Sequence, residues 1–316
     1  ICDLQLNHSA INIDYLPLAK PPNITVERLP VILVHGYFGD PDSTWATMKQ
    51  KLQQDGFTVY DPDLEPTFLP ANQHIPIYAQ TLKTNIDIVK IITNSSKVDL
   101  VTHSMGGLVA RWYIQKSNYE NDVRRLIMLG TPNHGAHVIS VLRTFLQIGA
   151  TGLFKALFAK IAGAAAASSI VAFGASAILI GPAGFEMIPG NPFLNLLNHN
   201  VALPGPSGLF GNDIISLTVP YNTAAGDVFE TIPFIPWTEP NDGLVTVKSV
   251  KLDGVTIYTF AVNHTDLHEN IDVYNLVRGA LLGQIPEGVG VQQNETLTIS
   301  IFALINGSLN PIQSVS

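Results

Sequence analysis

The chain has 316 residues and a formal charge of −8, with 17 Lys plus Arg against 25 Asp plus Glu. One large α/β unit fits that length, and the core it buries needs no staples, so a lone cysteine, Cys2, is no handicap. An acidic balance without basic runs excludes nucleic acid and anionic membrane surfaces as expected partners. Charged residues make up 13% of the chain, well below the roughly 25% of an average soluble domain, and no cofactor motif is evident. Sparse charge, no disulfide and six Asn-x-Ser/Thr sites (Asn7, Asn23, Asn94, Asn263, Asn294, Asn306) point to a secreted, extracellular protein.

Pro30-Val-Ile-Leu-Val34 is wholly apolar, as expected of a strand buried on both faces. Asp42 or Ser43 then caps a helix that buries Trp45, Met48 and Leu52 and ends at Gly56. Residues 57–60 read as a strand. Tyr78, Leu82, Ile86 and Val89 recur at helical spacing, residues 98–101 form a strand, a helix starts at Ser104, and residues 126–129 form another strand. Residues 213–219 and 254–260 read as further strands. A helix from about Asp266 places Leu267, Ile271, Tyr274, Val277 and Leu281 on one face. Alternating apolar and polar residues over 296–301 give a half-buried strand, with a hairpin turn at Asn306-Gly307. Strand-helix alternation predicts an α/β fold: a mostly parallel sheet covered by helices.

Leu100-Val-Thr-His-Ser-Met-Gly-Gly107 lies between a predicted strand and a predicted helix. A sharp turn there exposes the Ser104 hydroxyl at a helix N-terminus, where the Met105 N–H faces any charge growing on a bound carbonyl. A hydroxyl becomes a good nucleophile when a base takes its proton. A carboxylate and a histidine are then expected in the chain order nucleophile, acid, histidine that a fold with such a strand-turn-helix imposes, which leaves His264, just past a strand, as the base. His268 would be carried one turn into the helix. For the acid, Asp242 and Asp227 both follow the strand at 213–219, and spacing leaves both open. A zinc pair of His264 and His268 lacks the surrounding Glu-containing pattern.

Five segments in this order resemble the true lipases and esterases of the α/β-hydrolase superfamily, of the bacterial secreted triacylglycerol type, over residues 30–283. They are Val31-Ile-Leu-Val-His-Gly-Tyr-Phe-Gly39, Thr102-His-Ser-Met-Gly-Gly107, Leu129-Gly-Thr-Pro-Asn-His-Gly135, Asn241-Asp-Gly-Leu-Val245 and Asn263-His-Thr-Asp266. The resemblance implies an α/β-hydrolase fold, a triad of Ser104, Asp242 and His264, and an oxyanion hole from the Tyr37 and Met105 N–H groups. It favours Asp242 over Asp227. Thr102 departs from the usual glycine. In some such lipases the position of Asp266 binds calcium; with no second carboxylate assignable, no metal is expected, and Asp266 is assigned to capping the last helix.

Residues 161–185 carry no charge and are long enough for a membrane span, yet a span there would part Ser104 from Asp242 and His264. The segment is read instead as part of a helical lid or cap, residues 136–190, inserted into a catalytic domain of residues 1–290. Residues 291–316 form a C-terminal β extension. The insert opens amphipathically, with Ser140, Arg143, Thr144 and Gln147 on a polar stripe beside Val138, Val141, Leu142, Phe145 and Leu146, followed by Leu153, Phe154, Leu157 and Phe158. In the resembled lipases a lid follows the Gly-Thr-Pro segment. The expected partner is a lipid ester at an interface, touched peripherally through the lid. A phospholipase A, an acyltransferase, a short-chain esterase and a non-catalytic lipid-binding module are the alternatives.

Overall fold

The computed structural model describes residues 28–37, 39–64, 73–116, 119–147, 181–198, 221–227, 239–253, 255–284, 299–305 and 308–315. Six strands form one parallel sheet in the order β2-β1-β3-β4-β5-β6. They are β1 (Val31–Val34), β2 (Val59–Tyr60), β3 (Val98–His103), β4 (Val123–Leu129), β5 (Tyr221–Gly226) and β6 (Ile257–Phe260). Register runs Val31 to Asp99 across β1 and β3, Leu100 to Leu126 across β3 and β4, and Ala224 to Tyr258 across β5 and β6.

The apolar run of β1 follows from burial on both faces. Ile32 and Val34 join Leu100, Leu126 and Met128 in a core shared with α2 (Ile75–Thr93) and α3 (Met105–Lys116). Val31 and Leu33 point the other way, with Val101, Ile127 and Leu129, against α1 (Pro41–Gln54) and the last helix. Each such fully buried side chain is worth about 1.5–3 kcal/mol relative to exposure.

Several boundaries differ from the sequence reading. The cap of α1 is Asp40, whose carboxylate accepts from the Ser43 N–H at 2.9 Å, because Pro41 has the φ of a first helical residue and lacks an N–H. The strand expected at 57–60 shortens to β2. The fifth strand of the sheet is β5; residues 213–219 lie outside the described residues. Its Asn, Thr, Ala and Gly composition gives no apolar run to read.

The last helix begins at Ile271, not at Asp266. Asn270 caps it, its side chain accepting from the N–H groups of Asp272 and Val273, while residues 264–266 form a separate 3-10 turn capped by Asn263. Ile271 therefore sits in the first turn, half exposed, rather than on the buried face. Asp266 caps nothing there; its backbone carbonyl accepts from Glu269 and Asn270.

After β4, α4 (His137–Gln147) opens the insert, and α5 (Pro182–Glu186) and α6 (Pro192–Asn198) return the chain. Val138, Ile139 and Leu142 of α4 are buried, and the Arg143 guanidinium lies 5.3 Å from the centre of the Phe185 ring. Residues 148–180, with most of the uncharged stretch and Phe154, Leu157 and Phe158, lie outside the described residues. No described helix is long and apolar enough to cross a membrane. The short helix α7 (Val247–Val250) and the final helix α8 (Ile271–Leu281) complete the helices described. Strands β7 (Ile299–Ile305) and β8 (Ser308–Val315) pair antiparallel on either side of residues 306–307, as a separate two-stranded sheet.

Candidate active site

Ser104 lies between β3 and α3 with φ of 52°, a left-handed conformation that a serine adopts only when its surroundings impose it. Its N–H donates to the Leu129 carbonyl at 2.8 Å, and its own carbonyl accepts from Gly107 at 3.1 Å. Neighbouring glycines give the turn its room. A Cβ on Gly36 would stand 2.7 Å from the Ser104 Cβ, and one on Gly106 would stand 2.6 Å from the carbonyl oxygens of both Val34 and His35. Such distances leave no space for any side chain. Thr102 fits where glycine is usual because it is wholly buried and its hydroxyl donates to the Ile127 carbonyl at 3.3 Å.

His264 opens the 3-10 turn after β6 and is buried. Its Nδ1 lies 2.8 Å from Asp242 Oδ2, so the ring donates there to the carboxylate and Nε2 is left as the basic nitrogen. That Nε2 is buried and makes no hydrogen bond with any of the described residues. The other carboxylate oxygen, Oδ1, accepts from the N–H groups of Leu244 at 3.0 Å and Val245 at 2.8 Å. The acid is thus fixed by its own turn, and Val245, buried in the interior, anchors that turn. Asp227 stands at the end of β5 with its N–H on the Phe260 carbonyl, and the carboxylate that meets His264 is that of Asp242.

These groups gather at the carboxyl edge of the sheet, where α/β folds build their crevices. Gly130, after β4, has φ of 63°, and a Cβ there would be 3.0 Å from Cε1 of His264. Gly226, ending β5, would place a Cβ 2.6 Å from that of Asp242. Ser104 is bonded to Leu129, the residue before Gly130, so the serine and the imidazole border the same backbone.

Met105 is the first residue of α3, and its N–H belongs to the first turn, which has no acceptor within the helix. Tyr37 follows Gly36, whose carbonyl is held by the Gly39 N–H at 3.1 Å and by His35 Nδ1 at 3.0 Å. The N–H of Leu64 donates to His35 Nε2 at 3.2 Å, which leaves Nδ1 to donate to the Gly36 carbonyl. A trans peptide sets the Tyr37 N–H opposite the Gly36 carbonyl, away from the imidazole.

Two buried histidines that the sequence reading set aside adjoin the site. The His103 ring stands 4.8 Å from that of His264 and 4.9 Å from that of His268. Burial, reinforced by the neighbouring imidazoles, pushes His103 well below the usual histidine range. Burial lowers His268 as well, against the pull of Glu269. A histidine ending a buried strand beside the turn is the signal by which sequence could have singled out His103.

Among the described residues, the one group with carboxylates close enough to share a cation is Asp87, Glu120 and Asp122, and Lys83 and Lys90 already span it. Asp266 is not in that group.

Residues 30–172 match the model of the palmitoyl protein thioesterase family. The chain is 28% identical over 137 residues to triacylglycerol lipases of Pseudarthrobacter phenanthrenivorans and Burkholderia plantarii. That stretch is 42% of this chain, and it spans 42% and 37% of those relatives, less than half of either. In structure the chain resembles the mature lipase BlEst2 of Bacillus licheniformis with a TM-score of 0.61 at 19% identity, over 81% of this chain and 93% of that one. Its parallel sheet, its strained serine between strand and helix, and the likeness to BlEst2 give the chain an α/β-hydrolase fold, and the proteins it resembles are of the lipase, esterase and thioesterase type.

Proposed function

We propose that the protein hydrolyses carboxylic esters of fatty acids through an acyl-enzyme, with triacylglycerol at an oil-water interface as its substrate class. Ser104 attacks the ester carbonyl, His264 Nε2 takes its proton and later returns it to the leaving alcohol, and Asp242 holds the imidazole in the tautomer that leaves Nε2 bare. The N–H groups of Tyr37 and Met105 receive the oxyanion. The observation that carries this reading is the 2.8 Å bond between His264 and a buried, turn-locked Asp242, at the same sheet edge as a serine held at φ of 52°. His264 Nε2, buried and with no hydrogen-bond partner among the described residues, is the nitrogen that would receive the Ser104 proton.

The insert over residues 136–190 acts as a lid. Its apolar face turns inward in water and is stabilised by lipid at an interface, which raises the open population. The protein works outside the cell, and exposed Asn94 at the end of α2 is available for glycosylation. No nucleic acid or integral membrane anchor enters this reading, and no metal or cofactor takes part in the chemistry.

A second reading has its own support: the palmitoyl protein thioesterase match favours a long-chain acyl thioester, which the same triad would cleave. The test is a rate profile over emulsified triglyceride, p-nitrophenyl esters of rising chain length and a palmitoyl thioester, for wild type and Ser104→Ala. The lipase reading requires the emulsion and long-chain esters to dominate and the variant to be inert. Preference for the thioester moves the assignment to the second reading, preference for short soluble esters moves it to an ordinary esterase, and silence on all three removes catalysis.

A further inference from the structure

We propose that His103 is a positioning residue that holds the backbone of His264 against the nucleophile turn. The inference rests on the reading of Ser104 and His264 as nucleophile and base. His103 is the last residue of β3, one peptide bond before Ser104, and it is buried. Its Nε2 lies 3.0 Å from the backbone carbonyl of His264, across 161 residues of sequence. A carbonyl only accepts, so Nε2 of His103 carries the proton and donates.

The other backbone group of residue 264 is tied as well, its N–H donating to the Asp242 carbonyl at 2.9 Å. One tie runs to the strand that carries the nucleophile and the other to the loop that carries the acid. Between them they leave His264 little freedom beyond its side-chain torsions. The rings then meet at 4.8 Å with an interplanar angle of 48°, and His268 closes the far side edge-on at 4.9 Å. Gly36 faces the remaining nitrogen: a Cβ there would be 3.3 Å from His103 Nδ1. The imidazole therefore fills the space between the Gly36 loop, the base and the lead-in to α8. Burial keeps it uncharged, which suits a group that must donate to a carbonyl without placing a second cation beside the imidazolium of His264.

The experiment measures the rate at which a fluorophosphonate labels Ser104 in wild type, His103→Gln, His103→Asn and His103→Leu. In that reaction the serine oxygen bonds phosphorus, fluoride leaves, and His264 takes the proton. Gln carries an N–H donor to about the reach of Nε2, whereas Asn is too short and Leu has none. Positioning predicts that Gln stays within about threefold of wild type, while Asn and Leu lose on the order of 10 to 100 in the maximal labelling rate at an unchanged half-saturating concentration. Equal rates in all four proteins overturn the proposal, and so does an equal loss in all three variants, which would mean that packing alone matters. If wild type is labelled elsewhere or not at all, it is the nucleophile reading that fails. Should Asn and Leu not fold, nitrogen NMR of histidine-labelled wild type at neutral pH decides: a neutral His103 protonated at Nε2 supports the proposal, and a cation or the Nδ1–H tautomer overturns it.

Discussion

His264 and Asp242 are joined twice, side chain to side chain at 2.8 Å and backbone N–H to backbone carbonyl at 2.9 Å, so one residue ties both the backbone and the tautomer of this imidazole. Asp242→Asn separates these two functions. The amide oxygen takes over the acceptor role toward Leu244 and Val245, which turns the NH2 toward His264 and forces the proton onto Nε2. The expected loss is on the order of 10⁴ in kcat with folding intact, and Asp227→Asn is expected to be mild. Steady-state kinetics and a thermal melt on both variants check this; a comparable loss in Asp227→Asn would move the acid to β5.

Gly36→Ala tests the fit around the nucleophile. The added methyl would lie 2.7 Å from the Ser104 Cβ and 3.2 Å from the His103 carbonyl, both on the turn itself, so the turn must shift. Overpacking of this kind destabilises by about 1–3 kcal/mol. A displacement near 1 Å at the reacting atoms costs about 10²-fold in rate. Turnover should fall by that factor in protein that still melts cooperatively, and unchanged turnover would mean that the serine is not the reacting group.

Stability should decline on the acid side of neutrality. His103 and His268 both have folded-state pKa values below the ordinary 6.5, so the unfolded chain binds protons that the folded chain refuses. Their contribution is fully present above the unfolded value and is lost as pH falls below it, by up to about 1.4 kcal/mol per pH unit for each proton. Melting temperatures followed from pH 8 to pH 5 should therefore drop, and His103→Gln should flatten the slope. A melting temperature independent of pH, or one that rises on acidification, would contradict the neutral burial of these rings.

Interfacial action is expected to show as low turnover of dissolved ester and a jump once substrate forms droplets. Changing Phe154, Leu157 and Phe158 to Ser should remove the jump and leave labelling of Ser104 intact, because opening gains energy only from apolar surface offered to lipid. A smooth hyperbola across the solubility limit, insensitive to these changes, would indicate a fixed cap.

Chelation by EDTA should leave turnover largely unchanged, since the one close carboxylate group among the described residues is spanned by Lys83 and Lys90 and stands apart from the proposed chemistry. Loss restored by calcium and absent in Asp266→Ala would reverse that expectation.

Much of the fold was legible where apolar periodicity dominates. The run at 31–34 and the helical spacing of Tyr78, Leu82, Ile86 and Val89 were enough, because each of these side chains is buried where its period puts it. Strand β5 was not legible, since its small polar and glycine residues carry no alternation. Ser104 was legible from the strand, turn and helix that frame it and His264 from its place just past a strand, whereas spacing left Asp227 open beside Asp242 and only the resemblance chose between them. The bonds from Leu64 to His35 and from His103 to His264 were hidden, because each joins segments that only the folded sheet brings together. Asp40 was missed because a capping residue was sought two or three residues too late, although Pro41 marks the start of the helix.

The two stems of the insert meet at one point. Ala136 donates from its N–H to the Met187 carbonyl at 2.9 Å, Pro189 backs onto Gly135, and Glu186 accepts from the Ile75 N–H at 2.7 Å while pairing with His74. A segment whose two stems are already clasped adds little closure entropy as it lengthens, about 0.6 kcal/mol for each doubling. The sheet is thereby released from any fixed size of covering: residues between the stems could be shortened, exchanged or fused to a foreign domain without redrawing it, making this the natural graft point of the molecule.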